Sequence, residues 1–309
     1  MLLVKLRFRA ALHVGASILG EEDTHDYAPS DTLFSALCHA YLAAFGTPAL
    51  EELLGRFEGE PPFLVSSAFP FHGQTLFLPF PRVKLPPRAE EEERGAKKRL
   101  KESPWVTFEN FARLLDEESV GDLGGNEDRL PRKELLPRVA LDRDSSNSSI
   151  YYMRRAVFPP GGGLWTLLDL KDESLAPALR RTFHLLGEMG LGGERTMGCG
   201  FFEPEFEEAP RDLASRMGGG APYVALSRVS PERPEEAAEK VDRYALVESK
   251  GWIASPTGVQ RKRRSVMFFA EGSSFTEKVR GKLLDVTPQD GPGHPVYRYG
   301  YGTYLGRAS

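Results

Sequence analysis

Gly190, Gly192, Gly193, Gly198 and Gly200 fall within eleven residues, with Arg195 and Thr196 among them. Glycine lets backbone amides approach an anion closely, and a guanidinium pairs with phosphate through charge-assisted hydrogen bonds. The run lacks the Gly-Lys-Ser/Thr of a Walker A loop. It also follows a predicted helix and precedes a predicted strand, the reverse of a dinucleotide fingerprint. It reads either as a turn with a C-cap glycine or as a loop whose backbone binds an anion, and the glycine density favours the second. Arg261, Lys262, Arg263 and Arg264 form a second group, four consecutive cations between Trp252 and the apolar run 266–269. Such a run is either a solvated face or a set of phosphate contacts that release counterions. In a third group, Arg129, Arg132, Lys133, Arg138 and Arg143 outnumber Glu134 and Asp142, and Arg154 and Arg155 follow beside Tyr151 and Tyr152. Cations interleaved with aromatics suit a single nucleic-acid strand, whose bases stack while its phosphates are neutralised. The alternative there is ordinary surface.

The six histidines show no HxxxH or HExxH spacing, so neither a metal site nor a cofactor is expected. No GxSxG nucleophile elbow occurs. His13 and His25 lie in the loop after the first predicted strand, where a general base for RNA cleavage would sit. His39 and His184 fall in amphipathic helical patterns and are expected near the core. Cys38 and Cys199 are far apart in sequence and form no CxxC pair, which suits two buried thiols in a cytoplasmic protein.

These groups need elements to position them. Residues 2–9 alternate with period two, one face apolar and the other mostly basic, which predicts a strand. Ser30 and Asp31 offer N-caps to an amphipathic helix ending at Gly46, and a shorter helix follows over 48–57. Residues 63–69 and 75–80 read as strands joined at His72-Gly73. From about 84 to 149 the chain becomes strongly charged, with one short helix predicted over 105–115, and reads as an inserted projection. Two strands at 150–158 and 164–170, a helix capped by Ser174 and a strand at 201–206 complete a βαββαβ order, the ferredoxin-like or RRM-like pattern. A linker is predicted over 209–221. The remaining residues are mainly strand-like, with one helix over 234–241, and read as a second, degraded unit of the same kind. The expected fold is therefore α+β, with domains at 1–208 and 222–309.

With 309 residues, 40% hydrophobic and 27% charged, the chain has an ordinary globular composition of about two domains. No apolar run approaches the ~20 residues of a membrane span. A net charge of −4 gives no global argument for nucleic acid, so any such contact must be local.

The order of motifs resembles a known family. Tyr27-Ala-Pro-Ser-Asp-Thr-Leu-Phe-Ser-Ala-Leu37, Phe63-Leu-Val-Ser-Ser-Ala-Phe-Pro70, Phe77-Leu-Pro-Phe-Pro81 and Arg138-Val-Ala-Leu-Asp-Arg143 are similar to stretches of RAMP-superfamily CRISPR-associated proteins, specifically the fourth Csm subunit of type III-A effectors. So are Arg261 to Arg264 with Phe268-Phe-Ala-Glu-Gly-Ser273, and His294-Pro-Val-Tyr-Arg-Tyr-Gly300. The resemblance implies two ferredoxin-like RAMP domains with a thumb in the insertion. It also implies a non-catalytic subunit in antiviral defence that grips the 5′ handle of the CRISPR RNA. Its implied partners are that RNA, the large polymerase/cyclase subunit and the backbone subunit, with target RNA met indirectly. By position, Ser30, Arg138, Arg143 and the glycine loop with Gly192, Gly193, Arg195, Thr196 and Gly198 become handle contacts, and local charge adds Arg154 and the 261–264 cations as RNA contacts. The alternative is a metal-independent endoribonuclease acting on precursor RNA through His13 and His25.

Overall fold

A computed structural model describes residues 1–16, 23–84, 104–118, 120, 126–141, 148–255 and 261–308. The first half contains β1 (Leu2–Phe8), α1 (Ser30–Phe45), α2 (Thr47–Gly55), β2 (Phe63–Val65), β3 (Phe69–His72) and β4 (Thr75–Pro79). The insertion holds β5 (Trp105–Thr107), α3 (Phe108–Leu115) and β6 (Arg132–Leu141). Then come β7 (Ser148–Val157), β8 (Gly162–Leu170), α4 (Ala176–Met189), β9 (Phe202–Glu208) and α5 (Arg211–Met217). The last part has β10 (Gly220–Ala225), α6 (Pro234–Lys240), β11 (Val241–Arg243), β12 (Leu246–Ser249), β13 (Val266–Phe269) and β14 (Ser274–Phe275). It closes with β15 (Leu283–Asp285), β16 (Tyr297–Tyr299) and β17 (Tyr304–Arg307).

The main sheet runs β5-β4-β3-β8-β1-β9, with β2 also paired to β8, and all its pairings are antiparallel. Helices α1 and α4 cover one face. Phe34 and Leu37 of α1 and Phe183 and Leu186 of α4 pack with Val4, Leu6 and Phe202. The expected alternation of β1 is present, and its second face is divided: Arg7 and Arg9 reach solvent and pair with Glu205 and Glu203, whereas the Leu3 end is covered. Leu3 is buried with Trp165, Leu167, Val224, Leu226 and Leu305, because the second sheet, β11-β14-β10-β17, packs there. Lys5 is buried as well, its ammonium 3.0 Å from Glu207 and 5.7 Å from the Phe71 ring centroid.

Several expectations need correction. Pro29, not Ser30, is the N-cap of α1, since the Ser30 and Asp31 side chains are buried in other bonds. The helix expected over 105–115 is a strand followed by a helix, because Thr107 caps α3 by accepting from the Asn110 amide. Ser174 caps nothing; its own amide donates to Asp172. The predicted linker 209–221 contains α5, pinned by buried Arg216, whose guanidinium donates to both Asp116 oxygens at 3.0 and 2.6 Å. His184 is exposed. The projection extends past residue 149, since β6 and β7 form one ribbon over 132–157. The charged stretch 88–102 and Arg143 lie outside the described residues. No described helix is long and apolar enough to cross a membrane.

Candidate nucleic-acid interface

The β6–β7 ribbon sorts its residues onto two faces. Opposed residues in an antiparallel ladder share a face and successive ones alternate. Leu135 lies opposite Arg154, Pro137 opposite Tyr152, and Val139 opposite Ile150. This face points to solvent: Leu135 is 50% exposed, Val139 59%, Ile150 68% and Tyr152 46%. The other face carries Glu134 opposite Arg155, Leu136 opposite Met153, and Arg138 opposite Tyr151. Met153 is buried and Arg155 binds Glu134 at 3.2 Å. The neighbours Arg154 and Arg155 thus have different duties. Arg154 stands with Tyr152 on an exposed apolar stripe and makes no ion pair among the described residues. Arg138 belongs to the half-buried face, with its Nε enclosed and unbonded.

The glycine loop meets this ribbon at His13. The Gly193 amide donates to the His13 carbonyl at 2.8 Å, and the His13 Nδ1 bonds the Arg154 carbonyl at 2.7 Å. Leu12 pairs with Ala156 one residue away. Gly192 (φ +88°) is required here, since a Cβ would sit 2.3 Å from the His13 carbonyl oxygen. Much of the loop's backbone is therefore committed to the protein. The amides of Leu191, Gly193, Met197, Gly198, Cys199 and Gly200 all bond internal carbonyls. This corrects the expectation of an amide cradle: these glycines let chain segments approach each other. What remains outward is the tip, where Gly193, Arg195, Thr196, Met197 and Gly198 are exposed.

Ser30 is not surface at all. Its Oγ accepts from the Arg228 amide at 2.9 Å, and its own amide donates to Ser67 Oγ at 2.8 Å. Asp31, fully buried, receives Arg228 Nη1 at 3.2 Å and Ser249 Oγ at 2.6 Å, with Arg298 Nε at 4.0 Å. Glu271 receives Ser67 Oγ at 2.6 Å and the Tyr27 hydroxyl at 3.2 Å. Burial raises the Asp31 pKa, but Arg228, Arg298, the Ser249 hydroxyl and Arg263 together hold the carboxyl below its ordinary value. This polar floor ties α1 to the C-terminal part, and its Arg228, Ser249 and Arg298 line a cleft of about 2010 Å³. His25 also lines it. Burial, then Arg228 and Lys133, pull the His25 pKa down to about 4.

The four cations at 261–264 are divided. Arg261, Lys262 and Arg264 are exposed, and Arg264 donates to the Asp285 carbonyl at 2.7 Å. Arg263 turns inward to Ser249 Oγ at 3.2 Å and to the Lys250 carbonyl. Burial first, then the Arg298 guanidinium and, after a partial offset by Asp31, that of Arg228, push the Arg263 pKa down to about 9. Sequence reading missed Asp31, Arg228 and Arg298 as a cluster, because their partners are some 200 residues distant. It also missed the outward apolar stripe, although Leu135, Pro137 and Val139 alternate in an otherwise charged insertion. No group of three or more His, Cys, Asp or Glu able to hold a metal ion occurs among the described residues.

Two family models match the chain: the RAMP superfamily over residues 5–203 and the CRISPR Csm4 C-terminal domain over 219–307. The "CRISPR system Cms protein Csm4" of Thermococcus onnurineus is 31% identical over 95% of this chain and 96% of its own. A chain of the crystal structure of a Csm1–Csm4 cassette in complex with cA4 superposes with a TM-score of 0.67 at 25% identity, covering 99% of this chain and 97% of that one. A chain of a Csm3–Csm4 subcomplex of the type III-A CRISPR-Cas interference complex shares the fold, with a TM-score of 0.68 at 17% identity and 99% of each chain covered. A mixed α/β fold of antiparallel sheets, a RAMP match over most of the chain and a relative similar end to end agree: this chain belongs to the Csm4 family of the RAMP superfamily.

Proposed function

We propose that this chain is a non-catalytic subunit of a type III-A CRISPR effector that grips the 5′ handle of the CRISPR RNA and bridges the large and backbone subunits. The observation that carries the reading is the convergence on His13 of two outward features, the apolar ribbon face with Arg154 and the loop tip with Arg195. Bases of a splayed single strand stack on apolar and aromatic side chains while the guanidiniums meet phosphates. Relatives captured with Csm1 and with Csm3 support the bridging role. An acidic whole is compatible with this, since phosphate contact is local.

The same reading takes residues 1–208 and 222–309 as two ferredoxin-like domains. The main sheet supports the first through its order β3-β8-β1-β9, with α1 after β1 and α4 after β8. The second sheet has the equivalent order, β11-β14-β10-β17, with α6 after β10. Where a second helix would stand, the β15–β16 hairpin runs instead, which makes this copy the degraded one.

The test is incubation of the full chain with its repeat RNA in EDTA. Binding without cleavage is expected, and Arg195→Ala and Arg154→Ala should each lower the salt slope by about one. Specific cleavage lost in His13→Ala or His25→Ala would overturn the non-catalytic reading and establish the endoribonuclease.

A further inference from the structure

Trp252 stands apart from the chain's other two tryptophans. Trp105 and Trp165 are 5% and 0% exposed, whereas Trp252 is 63% exposed. The backbone holds it there. Trp252 bridges Lys262, the Ile253 amide donates to the Arg261 carbonyl at 2.8 Å, and the Arg263 amide donates to Gly251 at 3.0 Å. The Lys262 ammonium lies 5.4 Å from the Trp252 ring centroid. A large apolar ring fixed in water beside a cation forms a flat shelf, and this one stands on the wall of the interdomain cleft.

Behind the shelf the charges do not balance. Arg228, Arg263 and Arg298 line the cleft above two buried carboxylates, Asp31 and Glu271. Arg228 lies within 4.0 Å of both, and Arg298 reaches Asp31. Arg263 pairs with neither; its hydrogen bonds go to neutral oxygens of Ser249, Lys250 and Trp252. Asp31 reaches it only through Ser249, which does not offset burial and the neighbouring guanidiniums. Its enclosed Nε has no hydrogen-bond partner among the described residues, so an anion entering from the cleft would relieve the cost.

We propose that this corner of the cleft is a nucleotide subsite, in which Trp252 stacks one base of a single-stranded RNA while Arg263 and Lys262 take the adjoining phosphate. The subsite rests on the RNA-gripping reading but uses none of the residues that carry it. It lies on the C-terminal part of the chain, in the wall of the cleft that α1 also lines.

Trp252 itself reports the outcome, because acrylamide quenching of tryptophan fluorescence in the full chain monitors the exposed ring. Titration with a short single-stranded RNA of the handle sequence should protect Trp252 from acrylamide. Trp252→Ala, a change at an exposed position, should weaken that RNA about tenfold, and Trp252→Phe should restore most of the loss. Lys262→Ala and Arg263→Gln should each lower the salt slope by about one. RNA bound with unaltered affinity while Trp252 stays equally quenchable would overturn the subsite and leave the handle reading standing. No RNA binding at any salt concentration would overturn both. Protection of Trp252 by the large or backbone subunit without RNA would make this face a protein-docking surface and overturn the proposal.

Discussion

The cleft floor and the outer face of the β6–β7 ribbon both present arginine, and they use it in opposite ways. On the floor, Arg228 and Arg298 are 4–9% exposed and bonded to Asp31, holding α1 to the C-terminal part. On the ribbon, Arg154 is exposed, without an ion pair among the described residues, beside an apolar stripe that stays largely in solvent. The residue type therefore does not decide the duty. A carboxylate bonded directly in a dry site makes arginine a clamp, whereas on an exposed face a guanidinium with no direct ion pair keeps its charge for a ligand.

If the floor is the clamp, Asp31→Asn should give the largest effect, a loss of about 3–5 kcal/mol in chemical denaturation, because it leaves guanidiniums buried without their counter-charge. A loss under about 1 kcal/mol would make the cluster incidental.

The same floor should impose a pH dependence. His25 is held neutral in the folded chain, with a pKa near 4, whereas the unfolded chain protonates it near 6.5. Its contribution is complete above pH 6.5 and is lost as pH falls toward about 4, roughly 3 kcal/mol over that window. His25→Gln should flatten stability against pH there, and an unchanged slope would remove His25 from the floor's electrostatics.

Outer features should cost little stability. Gly198, at φ +85° with open space where a Cβ would point, should lose about 1 kcal/mol as Gly198→Ala, from backbone strain alone. Ile150→Ser should change melting stability by less than about 0.5 kcal/mol while weakening handle RNA severalfold. A large stability loss at Ile150 would show that the stripe is packed in the free chain.

The division also explains what the sequence made legible. The order of the two helices and four strands about the main sheet followed from hydrophobic periodicity, since each element buries a face whose spacing is local. The motifs that carried the family resemblance are another matter. Tyr27, Ser30, Asp31, Ser67, Glu271 and Arg298 all belong to those motifs, and all are joined in the cleft floor. The signature thus marks the clamp between the two parts, which is why Ser30 was misplaced as an RNA contact. Loop glycines misled similarly, since close approach between protein segments and close approach to a ligand require the same missing Cβ. Burial of Leu3 on the basic side of β1 could not be read from β1, because the covering sheet begins more than 200 residues later.

The most direct measurement is photocrosslinking of the handle RNA to this chain in the reconstituted effector, with adducts mapped by mass spectrometry. The account predicts adducts on the outer ribbon face, at Ile150, Tyr152 or Arg154, and on the loop tip from Gly193 to Gly198. Adducts confined to the exposed sides of α4 and β9, with none on the ribbon or the tip, would contradict it.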